Sequence, residues 1–321
     1  MNVSKAYTTI RQLYRDWSAE GKVERDACYA PVVDALNFNF SSTPIPQRGN
    51  IKILVPGAGL GRLPLEICKA GYAVEGNEIS YHMIIVSNHI LNHSVAGQQY
   101  KLYPWAFGFS NHLRREHQLQ CVMVPDVHPG TELDVASKGM EIHAFDRLSM
   151  SSSDFCVAYR QPEAKEAYDA VATVFFVDTA PNVIAYIETA RHCLRPGGIW
   201  VNVGPLLWHF ENNAPGSQHD HEHDHDDTTA HKPLYRPLSA IAEESSLASS
   251  AAGKSGSDEN LGIGDAGSVE LTDEEVGELL TLFGFTVERH ERGNDSGYIQ
   301  NPNSMLQSTY RTSIWIARKT G

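Results

Sequence analysis

Three glycines and one carboxylate carry the clearest chemistry in this sequence. Gly57, Gly59 and Gly61 stand in the run Gly57-Ala58-Gly59-Leu60-Gly61, directly after the apolar stretch Ile51 to Val55. A helical stretch from Leu63 to Lys69 follows and stops at Gly71; a second strand-like segment, Tyr72 to Val74, leads to Glu78. Strand, glycine turn, helix, strand and acid is the order in which a Rossmann-type unit builds a nucleotide site. Glycine lets the backbone turn tightly and approach a ligand, and a carboxylate ending the second strand can accept both hydroxyls of a ribose. The glycines run G-x-G-x-G, not the G-x-G-x-x-G of dinucleotide sites. The shorter form suits a ligand with no pyrophosphate to seat, such as S-adenosylmethionine. By itself the segment also fits an ordinary turn between a strand and a helix.

Other segments narrow that choice. Arg195-Pro196-Gly197-Gly198 follows a helical pattern, Val183 to Leu194, and precedes an apolar strand, Ile199 to Val203. Class I methyltransferases usually enter their fifth strand in this way. Ala170 to Val177 is an unbroken apolar run, as expected of a central parallel strand buried on both faces. It ends at Asp178-Thr179-Ala180, at the carboxyl end where open α/β sheets bind ligands.

The elements needed to hold these residues can be laid out in order. Residues 3–18 and 22–37 read as helices. Strands are expected at 51–55 and 72–76, with helices at 63–69 and about 80–92. Residues 98–150 read as irregular, with aromatic positions and a short apolar run from Cys121 to Val124. A third strand should end near Asp154-Phe155. Strand four covers 170–177, its helix 181–194, and strand five 199–203. Thr272 and Glu275 form a capping box for a helix that ends near Gly284. Strands at 285–289 and 313–317 close the chain as an antiparallel hairpin, because a loop and not a helix joins them. The expected fold is therefore α/β: a Rossmann-like class I methyltransferase fold with a seven-stranded, mostly parallel sheet, an antiparallel edge hairpin and N-terminal helices. Residues 1–50 would cover the cofactor site and 51–321 would form the catalytic domain.

Composition agrees. The 321 residues are 41% hydrophobic, enough for one large α/β domain with insertions or for two small domains. The formal net charge of −13 argues against nucleic acid, whose phosphates call for clustered Lys and Arg. No apolar run reaches the roughly 18 residues of a membrane span, and the first residues lack the apolar core of a secretory signal. The 5 cysteines are widely spaced with no CxxC, which reads as free thiols in a reducing compartment, cytoplasmic or nuclear. Residues 213–268 are rich in Ser, Ala, Gly, Asp and His and nearly devoid of aromatics, so they read as a disordered insertion. Within them, His219 to Asp227 alternates histidine and carboxylate. Such a run can bind zinc, nickel or copper, or be solvated low-complexity sequence; no metal is expected in the folded part.

The chain resembles the carnosine N-methyltransferase family. The resemblance is carried by RQLYRDWSAEGKVERDACYAP (11–31), ILVPGAGLGRLPLEICKAGYAVEGNEIS (53–80), KLYPW (101–105), SDF (153–155), FFVDTAPNVIAYIET (175–189) and LRPGGIWVNVGPLLWHFEN (194–212). It covers nearly everything except the His-rich insertion. Family members often carry further helical sequence upstream of the first block, and this chain begins almost at that block. The resemblance implies that Gln12 and Arg15, on one helix face, reach the methionine part of S-adenosylmethionine, with Arg15 gripping its carboxylate in a fork. Gly57 and Gly59 would let the backbone approach, Glu78 would hold the ribose, Asp154 would accept from the adenine amino group, and Phe155 and Val174 would line the ring.

On the acceptor side the family methylates an imidazole nitrogen of carnosine, giving anserine. A neutral imidazole, with a pKa of about 6.5, is already a competent nucleophile near pH 7. The site has mainly to orient it. Asp178 is expected to accept the ring N–H and take the departing proton. His209, in GPLLWHFEN, would bind the dipeptide carboxylate or relay a proton. Tyr298 and Tyr310, in SGYIQNPNSMLQSTYRTSIWIARK, would wall the pocket. Read without the family, Arg15 fits an exposed helix face, His209 a buried core histidine, and Tyr310 a strand-end aromatic. Other readings stay open: another imidazole compound or a peptidyl histidine as acceptor, a nicotinamide-dependent oxidoreductase, or a non-catalytic binding domain. The expected partner is a small-molecule dipeptide, without nucleic acid or membrane, and a homodimer is left open.

Overall fold

A computed structural model describes residues 3–211 and 268–321. Two helices come first, α1 (Val3–Trp17) and α2 (Lys22–Asn39). Then follow β1 (Lys52–Pro56), α3 (Arg62–Lys69), β2 (Ala73–Glu78), α4 (Tyr81–His93), β3 (Tyr100–Leu102), α5 (Arg115–Gln118), β4 (Val122–Val124), α6 (Pro129–Ala136), β5 (Leu148–Ser152) and α7 (Phe155–Tyr159). The chain closes with β6 (Tyr168–Val174), α8 (Val183–Cys193), β7 (Leu194–Gly204), α9 (Asp273–Leu282), β8 (Phe285–Gly297) and β9 (Thr309–Lys319).

Seven strands form one sheet in the order β5-β2-β1-β6-β7-β9-β8. The first five run parallel, and β9 pairs antiparallel with both β7 and β8. The expected Rossmann-like class I methyltransferase architecture with its edge hairpin is borne out. Strand order reverses at β1 and β6, so the carboxyl ends of those two strands open onto a crevice.

The sheet is covered on both faces, which is why β1 reads as a continuous apolar run. Ile53 and Val55 join a core with Trp17, Val32, Leu36 and Ile67 from α1, α2 and α3. Leu54, between them, points to the other core, with Phe155, Ile187, Trp200 and Phe285. Each such fully buried aliphatic side chain stabilises the fold by roughly 1.5–3 kcal/mol. The N-terminal helices therefore share the sheet's own core.

Polar contacts fix those helices over the glycine turn. Trp17 Nε1 donates to the Leu60 carbonyl at 3.0 Å. Arg25 and Arg62 both bind Asp126, at 2.6 and 2.5 Å. Tyr29 Oη donates to Asp16 Oδ1 at 3.0 Å. The capping box of α9 is present: Thr272 accepts from the Glu275 N–H, and Glu275 accepts from the Thr272 N–H.

Several boundaries differ from expectation, each for a physical reason. The third parallel strand ends at Ser152 rather than near Asp154-Phe155, because Asp154 caps α7. Strand four stops at Val174, since Phe175 turns out at φ 53°, and Asp178 lies in the short 3₁₀ turn Val177–Thr179. The fifth strand begins at Leu194, with Arg195 to Gly198 forming an irregularity against β6. β8 and β9 extend well beyond 285–289 and 313–317; their polar edge residues hide the strand period. The stretch 98–150 is not wholly irregular: it holds the antiparallel pair β3 and β4, the helices α5 and α6, and β5. Arg147 is buried there and donates to the carbonyls of Cys68, Tyr72, Ala136 and Ile142.

Cys28, Cys68, Cys156 and Cys193 are buried free thiols, and Cys121 is exposed. Among the described residues, no helix is long and apolar enough to cross a membrane. The insertion expected at 213–268, with its histidine run at 219–227, lies outside the described residues except for Ser268.

Candidate active site

A cavity of about 910 Å³ opens at the carboxyl ends of β1, β2 and β6, beneath α1. Every residue singled out above for a site role lines it: Gln12 and Arg15 from α1, Gly57 and Gly59 from the turn, Glu78 from β2, and Asp154, Phe155, Val174, Asp178, His209, Tyr298 and Tyr310.

The turn does two different jobs. At Gly59, with φ 55°, a Cβ would meet only Gln12 Oε1 at 3.7 Å and Asp16 Oδ2 at 4.0 Å. Those are ordinary contacts, so the bare backbone lines the cavity uncrowded, as close approach of a ligand requires. At Gly57, with φ 66°, a Cβ would lie 2.4 Å from Phe176 Cδ2. The side chain missing there makes room for an aromatic ring, while the Gly57 backbone still lines the cavity.

Glu78 closes this end of the cavity. Its Oε2 accepts from the Gly59 N–H at 2.8 Å, and its Oε1 from Ile79 at 3.0 Å and Ser80 at 2.8 Å. Burial pushes its carboxyl above the ordinary range, and the three backbone N–H groups oppose that shift. A carboxylate has about four acceptor positions. Three are filled by the protein's own backbone, which leaves acceptor capacity on Oε2.

Arg15 is engaged within the protein. Its Nε donates to Asp16 Oδ1 at 2.7 Å and Nη2 to Asp16 Oδ2 at 3.3 Å. Its guanidinium carbon lies 5.1 Å from the Tyr298 ring centroid. Burial disfavours the charge, yet Asp16 holds the group well above its usual pKa. One edge of the fork is thus taken, and a carboxylate would be met by the remaining Nη hydrogens.

Asp154 Oδ1 accepts from the Val157 N–H at 3.0 Å as the α7 cap, which fixes the carboxylate at the cavity edge. Phe155 packs edge-on against Phe176 and Tyr186, with centroids 5.7 and 5.5 Å away.

The opposite end of the cavity is built around Asp178. Its side chain is 3% exposed, and Oδ2 accepts from the Leu207 N–H at 2.8 Å. Burial pushes its carboxyl from 3.8 to about 7, against the pull of that N–H. The His209 N–H donates to the Asp178 carbonyl at 3.0 Å, tying the segment after β7 to the turn after β6. Burial lowers the His209 pKa, which favours the neutral ring. Tyr298 and Tyr310 stand 6.4 Å apart, with Phe175 4.9 Å from the first and 6.1 Å from the second.

The family model described as carnosine N-methyltransferase matches residues 1–321. The chain belongs to the carnosine N-methyltransferase family. The relative in Drosophila melanogaster, "Carnosine N-methyltransferase unmet", is 36% identical over 99% of this chain and 56% of its own length. The carnosine N-methyltransferases of Mus musculus and Schizosaccharomyces pombe are 34% and 33% identical, over 99% and 98% of this chain and 64% and 71% of their own. The chain thus spans little more than half of the fly relative and under two thirds of the mouse one. Magnesium protoporphyrin IX methyltransferase from Synechocystis PCC 6803 aligns over 99% of this chain and 92% of that one, at 12% identity and a TM-score of 0.46.

The sequence pattern of this carnosine N-methyltransferase family member did not single out three parts of the cavity. Phe175 and Phe176 appeared only as apolar strand residues; a positive φ at Phe175 cannot be read from its side chain. Tyr186, on α8, stacks on Phe176 with ring centroids 4.7 Å apart, and its helical pattern gave it no site role. The Leu207 N–H that holds Asp178 is a backbone group, invisible in any residue pattern. Among the described residues, no group of three or more His, Cys, Asp or Glu gathers as if to hold a metal ion.

Proposed function

We propose that this protein is an S-adenosylmethionine-dependent N-methyltransferase acting on an imidazole nitrogen of carnosine, giving anserine, or of a related histidine-containing dipeptide. One observation carries the reading: a single cavity joins the glycine turn and Glu78 to Asp178 and His209. Family membership supplies the acceptor class, since the relatives named above are carnosine N-methyltransferases.

The residues fit the nucleoside. Bare backbone at Gly59 would be filled by any Cβ, Glu78 Oε2 keeps acceptor capacity, and Asp154 is fixed at the cavity edge. When bound, S-adenosylmethionine supplies a methyl group activated by its sulfonium charge. Arg15 and Gln12 would hold its amino-acid end, with Phe155 and Val174 beside the adenine.

The protein's part in the chemistry is orientation and proton handling. Tyr298, Tyr310 and Phe175 wall a flat acceptor ring. Asp178, when ionised, accepts the ring N–H and so presents the other nitrogen as the nucleophile. After methylation the ring is cationic, and the same carboxylate takes its proton; a pKa of about 7 suits that exchange at neutral pH. His209, neutral, offers one N–H and one lone pair toward the dipeptide's polar end. The 5 free thiols support a reducing location, cytoplasm or nucleus.

The test is untargeted. The purified protein is incubated with labelled S-adenosylmethionine and a cell extract, and methylated metabolites are identified by mass spectrometry. Label in anserine or a methylhistidine dipeptide is expected. Label only in compounds without an imidazole would refute the reading.

A further inference from the structure

The block 11–31 sends Gln12 and Arg15 into the cavity, but Glu24, in the first turn of α2, does not line it. Its carboxylate reaches across to the loop between β8 and β9. Oε2 accepts from the Ile299 N–H at 2.6 Å, and Oε1 from the Gln300 N–H at 2.8 Å. Ile299 and Gln300 are the two residues after Tyr298. Ile299 is held at φ 51°, a conformation that a β-branched side chain adopts only when its surroundings enforce it. A Cβ on Gly297, just before Tyr298, would lie 3.2 Å from Glu24 Oε1. The carboxylate therefore meets the loop backbone on both sides of Tyr298.

What that loop aims is the cavity wall. The Tyr298 ring lies 4.9 Å from Phe175 and 5.1 Å from the Arg15 guanidinium carbon. Glu24 is on α2, Arg15 on α1, and Phe175 on the turn that leads to Asp178. The ring meets α1 and that turn directly, while α2 reaches it only through the loop backbone that Glu24 holds.

We infer that Glu24 is a positioning residue for the methyl acceptor: by gripping the Ile299-Gln300 turn it aims Tyr298 into the cavity and sets acceptor affinity without touching the acceptor. This rests on the function proposed above. Two charge-assisted bonds from consecutive backbone amides hold a turn far more firmly than neutral ones. A neutral amide at this position keeps one acceptor and sets an NH₂ group against the second N–H.

The experiment compares the parent with Glu24→Gln, Tyr298→Ala and the double variant, using carnosine and S-adenosylmethionine. Glu24→Gln is expected to raise the KM for carnosine about tenfold, the worth of one hydrogen bond of this kind, with kcat and S-adenosylhomocysteine affinity changed less than about threefold. In the Tyr298→Ala background the same substitution should leave KM unchanged, since the ring it positions is gone. A further tenfold rise in that background would mean that Glu24 acts elsewhere and would overturn the inference. So would an unchanged KM in the single variant. Should Glu24→Gln prove too unstable to purify, Glu24→Asp, one methylene short of the loop, should raise KM about threefold on the same reasoning. Hydrogen exchange gives a readout independent of turnover. The Ile299 and Gln300 amides should exchange at least tenfold faster in Glu24→Gln, and equal exchange would overturn the inference. If the parent does not methylate carnosine but exchange does accelerate, the acceptor assignment falls and the grip on the Tyr298 loop stands.

Discussion

Replacing Asp178 with Asn tests the centre of the proposed chemistry, and the structure sets the size of the effect. Burial moves this carboxyl from 3.8 to about 7. If it must be ionised to orient the acceptor, about one tenth is competent at pH 6 and about nine tenths at pH 8. The acceptor imidazole, with a pKa of about 6.5, is itself neutral in roughly one quarter of molecules at pH 6. Parent kcat/KM at pH 6 should then be about 2% of its plateau, the product of the two fractions. Asp178→Asn cannot take up a proton. Its plateau should fall on the order of a hundredfold or more, and its profile should keep only the imidazole limb, dropping roughly fourfold between plateau and pH 6.

Stability should move the other way. The folded pKa is raised, so this group's contribution is fully present below 3.8 and is lost as pH rises through about 7. Above that the ionised carboxylate costs up to about 4 kcal/mol relative to a neutral side chain. Asp178→Asn, which keeps an oxygen for the Leu207 N–H, should be more stable than the parent at pH 8, and the gap should close toward pH 4. Rate profiles with carnosine and denaturant unfolding at several pH values check both halves. Parallel profiles in parent and variant, or a variant less stable than the parent at pH 8, would show that Asp178 is neither buried as a charge nor the acceptor's partner.

Three further substitutions probe the proposed nucleoside end. Glu78→Ala removes the acceptor for the N–H groups of Gly59, Ile79 and Ser80; calorimetric affinity for S-adenosylhomocysteine should fall at least tenfold, and an unchanged value contradicts the ribose assignment. Gly59→Ala places a methyl on the cavity wall, in ordinary contact with Gln12 and Asp16, at φ 55°. It should cost about 1–2 kcal/mol of stability and sharply weaken nucleoside binding. Gly57→Ala instead collides with Phe176 and should lose more stability, by overpacking as well as strain. Equal melting-temperature losses for the two alanine variants would contradict the division of labour within the turn.

Much of the cavity's lining was legible because a glycine turn and the acid at the end of the next strand are local devices. Gly57, Gly59 and Glu78 fall within one strand-turn-helix-strand unit, where spacing along the chain is spacing in the fold. Asp178 follows the apolar run Ala170 to Val177, and β-strand ends are easy to place to within a few residues. The remaining errors have a common cause. Asp178 sits beyond its strand because Phe175 adopts a positive φ that no side-chain pattern reports, and β8 is longer than its apolar stretch because edge strands tolerate polar residues.

The sequence alone determined the α/β order, the glycine turn, the acid at the end of β2 and the family, because each depends on contacts between near neighbours or on long blocks of matching residues. Tertiary structure alone decided what those residues are free to do. It spends the Gly57 vacancy on Phe176, fills most of Glu78 with backbone N–H groups, occupies one edge of Arg15 with Asp16, and lifts Asp178 to about 7 by burying it. These outcomes depend on desolvation and on the backbone and side-chain geometry that brings Phe176 to Gly57, the Gly59 N–H to Glu78 and the Asp16 carboxylate onto Arg15. A chain read residue by residue carries neither.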